Sequence, residues 1–240
     1  MIIMQANLVF ICTPSILEII MNHEQQKNYF EIAYRTGSDV WTHIPYQVKA
    51  LEMLPVLEQN SLVLDIGSGR GIWAMKLANM GYRVLGIDYI GSIVENVNAE
   101  IVLNKLESKV RFVQGDVRDI PFTETSFNLV TDIGVLQHLE PADWPIYMRE
   151  LNRVVMDNGY VLSVTLSKET VRFMGFSPKQ SGDGNFEKFG VSYYFFSNDE
   201  IASLFSYGNF TLVNQTIEFY DARTDPGDRI ALVFSLFQKK

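Results

Sequence analysis

Apolar residues in this chain fall into short runs and helical stripes that alternate from residue 62 onward. Leu62, Val63, Leu64 and Ile66 form a run broken only by Asp65, short enough to be a strand. Glycines follow at 67, 69 and 71, and from Ile72 the spacing turns helical. Ile72, Met75, Leu77, Ala78 and Met80 are then set to share one buried face. The alternation repeats: a strand over 83–88, a helix over 90–106 with Ile90, Val94, Val97 and Ile101 on one face, and a strand over 110–113. A strand over 127–132 follows, then a helix over 144–156 with Leu151, Val154 and Val155 facing inward, closed by Asn158-Gly159. Residues 160–166 form the next strand. Ser197-Asn198-Asp199-Glu200 is a capping box that opens another helix. Strands over 210–220 and 229–237 close the chain, joined through the turn signal Asp225-Pro226-Gly227. Strand–helix alternation of this kind predicts a doubly wound α/β domain.

Ahead of that core, a helix is expected over 14–35, ending at Thr36-Gly37, and a second over 46–59 after Pro45, a residue favoured in a first helical turn. Residues 1–17 carry no charge and no Lys or Arg precedes Lys27, so the basic start of a secretory signal is missing. Gln5, Asn7 and Pro14 spoil a spanning helix. The expectation is that residues 1–20 precede a true start at Met21, which an intact mass of the native protein beginning at Met1 would contradict.

Composition narrows the function classes. The chain has 240 residues with 47% hydrophobic character, enough for one large core. Its formal net charge is −8 and its longest basic run is Lys239-Lys240, which disfavours a nucleic-acid partner needing a basic stripe. A single cysteine, Cys12, forbids an internal disulfide and fits a reducing, cytoplasmic setting. Three histidines and one cysteine at unrelated spacings give no metal signature.

The chemistry centres on the glycine turn. A strand, a bare turn and a helix start let backbone N–H groups approach an anionic or polar ligand closely. The dinucleotide fingerprint needs its third glycine one residue later, where this chain has Ile72. Asp65-Ile66-Gly67-Ser68-Gly69-Arg70-Gly71 instead resembles motif I of the class I S-adenosylmethionine (SAM) methyltransferases. Asp88, at a strand end about 20 residues past the glycines, stands where nucleotide-binding sheets hold ribose hydroxyls; the alternative is a helix cap or turn former.

Further segments carry the same resemblance. After Gln114-Gly115, it implies that Asp116 bonds the adenine amine and Val117 packs on the ring; the alternative is that Asp116 caps a turn before Ile120-Pro121. The run Phe127-Asn128-Leu129-Val130, continued by Val135-Leu136-Gln137-His138-Leu139, looks like motif IV, with Asn128 in place of the usual Asp. The stretch 149–162 matches the family's helix-to-strand segment, and the aromatic-rich stretch 29–41 resembles the lead-in that folds over cofactor and substrate. The resemblance covers roughly 61–237 and implies a mostly parallel seven-stranded sheet with an antiparallel last strand. Residues 1–60 are then an N-terminal extension and helical cap, and 61–240 the SAM-binding domain. A glycine- and aromatic-rich insertion at 167–196 reads as a substrate lid.

The implied cofactor residues are Asp65, Gly67, Ser68, Gly69, Gly71, Asp88, Tyr89, Asp116, Val117 and Ile133, with SAM as cofactor. Tyr34, Trp41 and Tyr193 are expected to shape a substrate pocket, against a reading as core aromatics. His138 is the one candidate base, against a structural role at a helix start. Asp132 with Asp157-Asn158 invites comparison with magnesium-dependent catechol methyltransferases, but Asp157 is placed before the fifth strand, at the wrong end of the sheet, so no metal is expected. The expected activity is methyl transfer to a small-molecule acceptor, with no nucleic-acid or membrane partner. A protein acceptor, a non-catalytic SAM-binding module and a nicotinamide oxidoreductase remain the alternatives.

Overall fold

A computed structural model describes residues 16–123, 126–181, 184–221 and 227–240. The predicted helix start at Pro14 and the turn residues Asp225 and Pro226 lie outside them. The chain opens with α1 (Ile16–Thr36), a 3-10 turn over Val40–His43 and α2 (Gln47–Glu52). The alternating core runs β1 (Leu62–Ile66), α3 (Ile72–Asn79), β2 (Arg83–Asp88), α4 (Gly91–Leu103), β3 (Val110–Gln114), β4 (Phe127–Ile133), α5 (Trp144–Val154) and β5 (Val155–Leu166). A small excursion follows, of α6 (Pro178–Ser181), β6 (Asn185–Lys188) and β7 (Val191–Tyr194). Then come α7 (Asn198–Tyr207), β8 (Phe210–Asp221) and β9 (Arg229–Lys239).

Seven strands form one sheet in the order β3-β2-β1-β4-β5-β9-β8. β1 pairs in parallel with both β2 and β4, so the strand order reverses beside β1, and β9 inserts antiparallel between β5 and β8. Alternate side chains separate to two faces, as the strand period requires. Val63, Leu129, Leu162 and Phe234 join α3 and α4 in one core, while Leu64, Val130, Val161 and Phe237 join α5 and α7 in the other. Burial of both faces explains why the strands read as continuous apolar runs. The Ser197–Glu200 capping box is formed at the start of α7.

Four expectations change. The second helix stops at Glu52, well short of residue 59. Pro55 supplies no N–H and disfavours the helical region for Leu54. The buried face of α3 is Trp73, Ala74, Leu77 and Ala78, with Ile72 and Met80 exposed. α4 is shorter at both ends than predicted, with Ile90 as its cap and Lys105 at positive φ beyond it. α5 ends at Val154; Val155 already pairs with Phe127, and Asn158, at φ 61°, turns a bulge in β5 that shifts the pairing to Leu129–Tyr160. Asp157 therefore lies inside β5, where it reaches Lys239 at the end away from Asp132. Asn128, the departure from the family pattern, accepts the Leu62 N–H at 2.9 Å and so fixes the start of β1.

Asp132 holds the turn after β4. Its buried carboxylate accepts the Tyr147 hydroxyl at 2.6 Å, the Val135 N–H at 2.8 Å and the Leu136 N–H at 3.2 Å. Replacing it by alanine leaves buried donors without partners, and urea unfolding of Asp132→Ala should show a loss of about 3 kcal/mol.

Candidate functional site

The strand reversal puts the carboxyl ends of β1 and β4 side by side, where open α/β sheets bind ligands. The chain leaves β1 through Gly67, Gly69 and Gly71, all at positive φ. A Cβ on residue 67 would fall 2.1 Å from Val135 Cγ2, and one on residue 71 would fall 2.8 Å from both Phe112 and Val97. Neighbours from β3, α4 and the turn after β4 thus press against this loop, and only glycine fits.

A cavity of about 490 Å³ opens over the turn, within the range of small-molecule sites. Every sequence-predicted site residue except Gly71 lines it: Asp65, Gly67, Ser68, Gly69, Asp88, Tyr89, Asp116, Val117, Ile133, Tyr34, Trp41, Tyr193 and His138. Gly71 stands behind the wall as the cap of α3.

Asp88 is 4% exposed and accepts the Gly69 N–H and the Ile90 N–H, each at 2.9 Å. It therefore clamps the glycine turn to the end of β2. Burial pushes its carboxyl up to about 6, against the pull of those backbone donors. Asp65 pairs across the sheet with Thr131, whose hydroxyl donates to it at 2.8 Å. Burial pushes Asp65 up to about 7, opposed by that bond and reinforced by Asp88 and Asp132. Asp116 makes the turn that sequence offered as its alternative role, accepting the Arg118 N–H at 2.9 Å, while also lining the cavity. Partial burial works to raise it, but the Arg118 guanidinium, 2.6 Å away, outweighs this and holds it below the usual carboxylate range.

The roof comes from α1. His23, Gln26, Lys27, Phe30 and Tyr34 recur at helical spacing and line the cavity. His23 reaches Asp143 at 3.2 Å, and Arg118 Nη1 reaches the same Asp143 at 3.1 Å. Gln26 donates to the His138 carbonyl at 3.1 Å and accepts the Ser192 N–H at 3.2 Å, stitching α1 to the β6–β7 hairpin. Asp39, 2% exposed, takes Arg70 of the glycine turn through both carboxylate oxygens at 2.6 Å. Sequence reasoning missed Arg70, Gln26, Phe30 and Arg118. The periodicity of α1 carried a signal for two of them, and Arg70 stood inside the motif itself.

His138 ends a short 3-10 turn over Leu136–His138, ahead of α5 rather than at a helix start, and lines the cavity. Its Nδ1 lies 2.8 Å from the Ser192 carbonyl, which fixes the proton on Nδ1 in the neutral ring. Burial pushes it down to about 4, so that ring is neutral at physiological pH. Among the described residues no group of three or more potential metal ligands occurs.

Asp65 gives a pH signature. Its folded value lies above its ordinary 3.8, so its contribution to stability is full below about 4 and is lost as pH rises through about 7. Asp65→Asn keeps the shape and removes the titration. Urea unfolding at pH 5 and pH 8 should therefore show the variant gaining on the parent chain as pH rises.

Comparison with known proteins agrees with this geometry. Residues 63–159 match the methyltransferase domain family. The demethylmenaquinone methyltransferase of Staphylococcus carnosus is 26% identical over 132 residues, covering 54% of this chain and 52% of that protein. The ubiquinone biosynthesis O-methyltransferase of Azorhizobium caulinodans is 27% identical over 132 residues, covering 55% and 49%. The chain thus spans about half the length of the curated relatives it matches. Its fold superposes on the 1,6-didemethyltoxoflavin-N1-methyltransferase of Burkholderia thailandensis, solved with 1,6-didemethyltoxoflavin and S-adenosylhomocysteine. That match has a TM-score of 0.75 at 21% identity and covers 95% of this chain and 92% of the other. Residues 63–159 carry a methyltransferase domain, and the strand order and glycine turn are those of the class I SAM-dependent methyltransferase fold.

Proposed function

We propose that this protein transfers a methyl group from SAM to a small-molecule acceptor. One observation carries the reading: a turn with glycine at 67, 69 and 71, at the strand reversal, opens on a cavity whose other walls include Tyr34, Trp41, Phe173 and Tyr193. The turn and its buried acids suit SAM, because the cradle is bare where a ligand must approach the backbone and a carboxylate waits at the end of β2. In this reading Gly67, Ser68 and Gly69 face the cofactor with backbone groups, and Asp65 supports them from β1. Asp88 accepts the ribose hydroxyls with lone pairs its two backbone donors leave over, and Tyr89 packs beside it. Asp116 meets the adenine amine, with Val117 and Ile133 against the ring system.

Bound there, SAM would supply a methyl group on a sulfonium, a centre that needs little acid–base help. The work of the chain is positioning, and holding reactants in line can supply ~7–11 kcal/mol. Tyr34, Trp41 and Tyr193 border the space where an acceptor would lie. α1 and the rest of the cap over 16–60, with the excursion over 167–181 and 184–196, would cover it and exclude water. Phe173, Met174 and Tyr193 of that excursion already form part of the wall. The quinone- and toxoflavin-type acceptors in the names of its relatives support a small molecule over a protein chain. Among the described residues no helix is long and apolar enough to cross a membrane.

The test is SAM carrying a radiolabelled methyl group, incubated with the protein and a fractionated extract of its source. Label should enter the small-molecule fraction; label in protein would replace the acceptor class. Asp88→Ala should abolish that label and weaken S-adenosylhomocysteine at least tenfold by calorimetry, about 1.4 kcal/mol or more. Unchanged affinity would remove Asp88 from the site.

A further inference from the structure

The two ends of the cavity differ in kind. Around the glycine turn and Asp116 it is charged and rich in backbone polar groups; away from them it is walled by Val164, Leu166, Phe173, Tyr193, Ile230 and Leu232. Several charged side chains near the polar end are engaged. Arg70 is held by Asp39, Arg118 by Asp116 and Asp143, and Asp65 by Thr131. Glu24 and Lys27 also line the cavity, from α1. None of the six apolar-end residues carries a charge.

One polar spot interrupts that wall. Gln137 and His138 both line the cavity. The Gln137 Oε1 accepts the Leu166 N–H at 2.8 Å, so its amide nitrogen is turned toward His138 Nε2, 3.3 Å away. With Nδ1 of His138 donating to the Ser192 carbonyl, Nε2 carries a lone pair. Phe30 and Tyr193 meet the imidazole edge-on, with ring centroids 5.2 Å and 4.9 Å away, and fix its plane. The amide presents a second N–H, and its contact to Nε2 is at the long end for a hydrogen bond. An oxygen bearing a proton satisfies both partners at once, accepting from Gln137 and donating to His138.

Resting on the methyltransferase reading, we infer that the apolar end binds a neutral, flat ring carrying a hydroxyl, which docks between Gln137 Nε2 and His138 Nε2. The aliphatic wall suits an apolar body, and Phe30, Phe173 and Tyr193 around it suit a flat one. The absence of a charged partner there penalises an ionised acceptor, because a buried charge without a counter-ion is costly. His138 also gives the hydroxyl proton a destination. As the oxygen lone pair bonds the methyl carbon and the carbon–sulfur bond breaks, its electron pair stays on sulfur. The oxygen becomes strongly acidic, and its proton passes to Nε2 and then to solvent. A neutral imidazole of low basicity suffices for that transfer, since the proton leaves an oxonium.

The experiment loads the protein with S-adenosylhomocysteine and titrates three probes calorimetrically: 2-naphthol, 2-methoxynaphthalene and 6-hydroxynaphthalene-2-sulfonate. The inference expects 2-naphthol to bind at least tenfold tighter than either other probe. It also expects His138→Phe to shrink the advantage over the methyl ether below threefold while leaving S-adenosylhomocysteine affinity within twofold. Should that variant fail to fold, nitrogen-15 spectra of the parent chain decide. The His138 Nε2 resonance should shift on adding 2-naphthol and stay in place with the methyl ether. Equal binding of the probes, no binding of 2-naphthol, preference for the sulfonate or an unmoved Nε2 resonance would overturn the inference. Failure of S-adenosylhomocysteine itself to bind would instead overturn the methyltransferase reading, and this inference with it.

Discussion

The structure depends on a loop with no room for a side chain at three of its positions. Between β1 and α3 the backbone turns back through three left-handed glycines, and Val135, Phe112 and Val97 press on it from neighbouring elements. Asp88 then locks the turn by taking the Gly69 and Ile90 N–H groups on its two oxygens. Each piece requires the others. The sheet order brings the ends of β1, β2 and β4 together, the glycines let their loops approach, and the buried acid joins two of them.

Buried acids recur at the strand ends for the same reason. Asp65, Asp88 and Asp132 sit at or next to the carboxyl ends of adjacent strands, each nearly sealed from solvent. Burial raises all three. Such strain is tolerable where backbone N–H groups and hydroxyls converge, as they do on Asp132 and Asp88. The roof packs Phe30 into the core shared with α3 and α4 and adds polar contacts to that packing. Asp39–Arg70, His23–Asp143 and the two-ended Gln26 clasp tie α1 and the turn after it across the cavity.

Most of this architecture was legible in the sequence because strand and helix periods differ so sharply. The strand ends, the glycine turn, Asp88 and the α7 capping box all followed from local pattern. The misreadings share one cause, a local signal overruled at a distance. Asn158-Gly159 has the residues of a helix stop, yet β5 draws Val155 into pairing with Phe127 and uses the positive φ for a bulge. Trp73 was passed over for Ile72 and Met75 because the buried side of α3 depends on which face meets the sheet. The β6–β7 pairing and the Arg70–Asp39 bond were illegible for the same reason, each joining residues that only the fold makes neighbours. The glycine spacing itself named the ligand class, because the third glycine falls at 71 and leaves Ile72 where a dinucleotide site needs bare backbone.

The choice between these two ligand classes is open to direct measurement. Calorimetric titration of the unmodified protein with S-adenosylhomocysteine and, separately, with NADH compares the two ligand classes at the same turn. The account predicts saturable binding of S-adenosylhomocysteine and at least tenfold weaker binding of NADH. NADH binding the tighter of the two would contradict it.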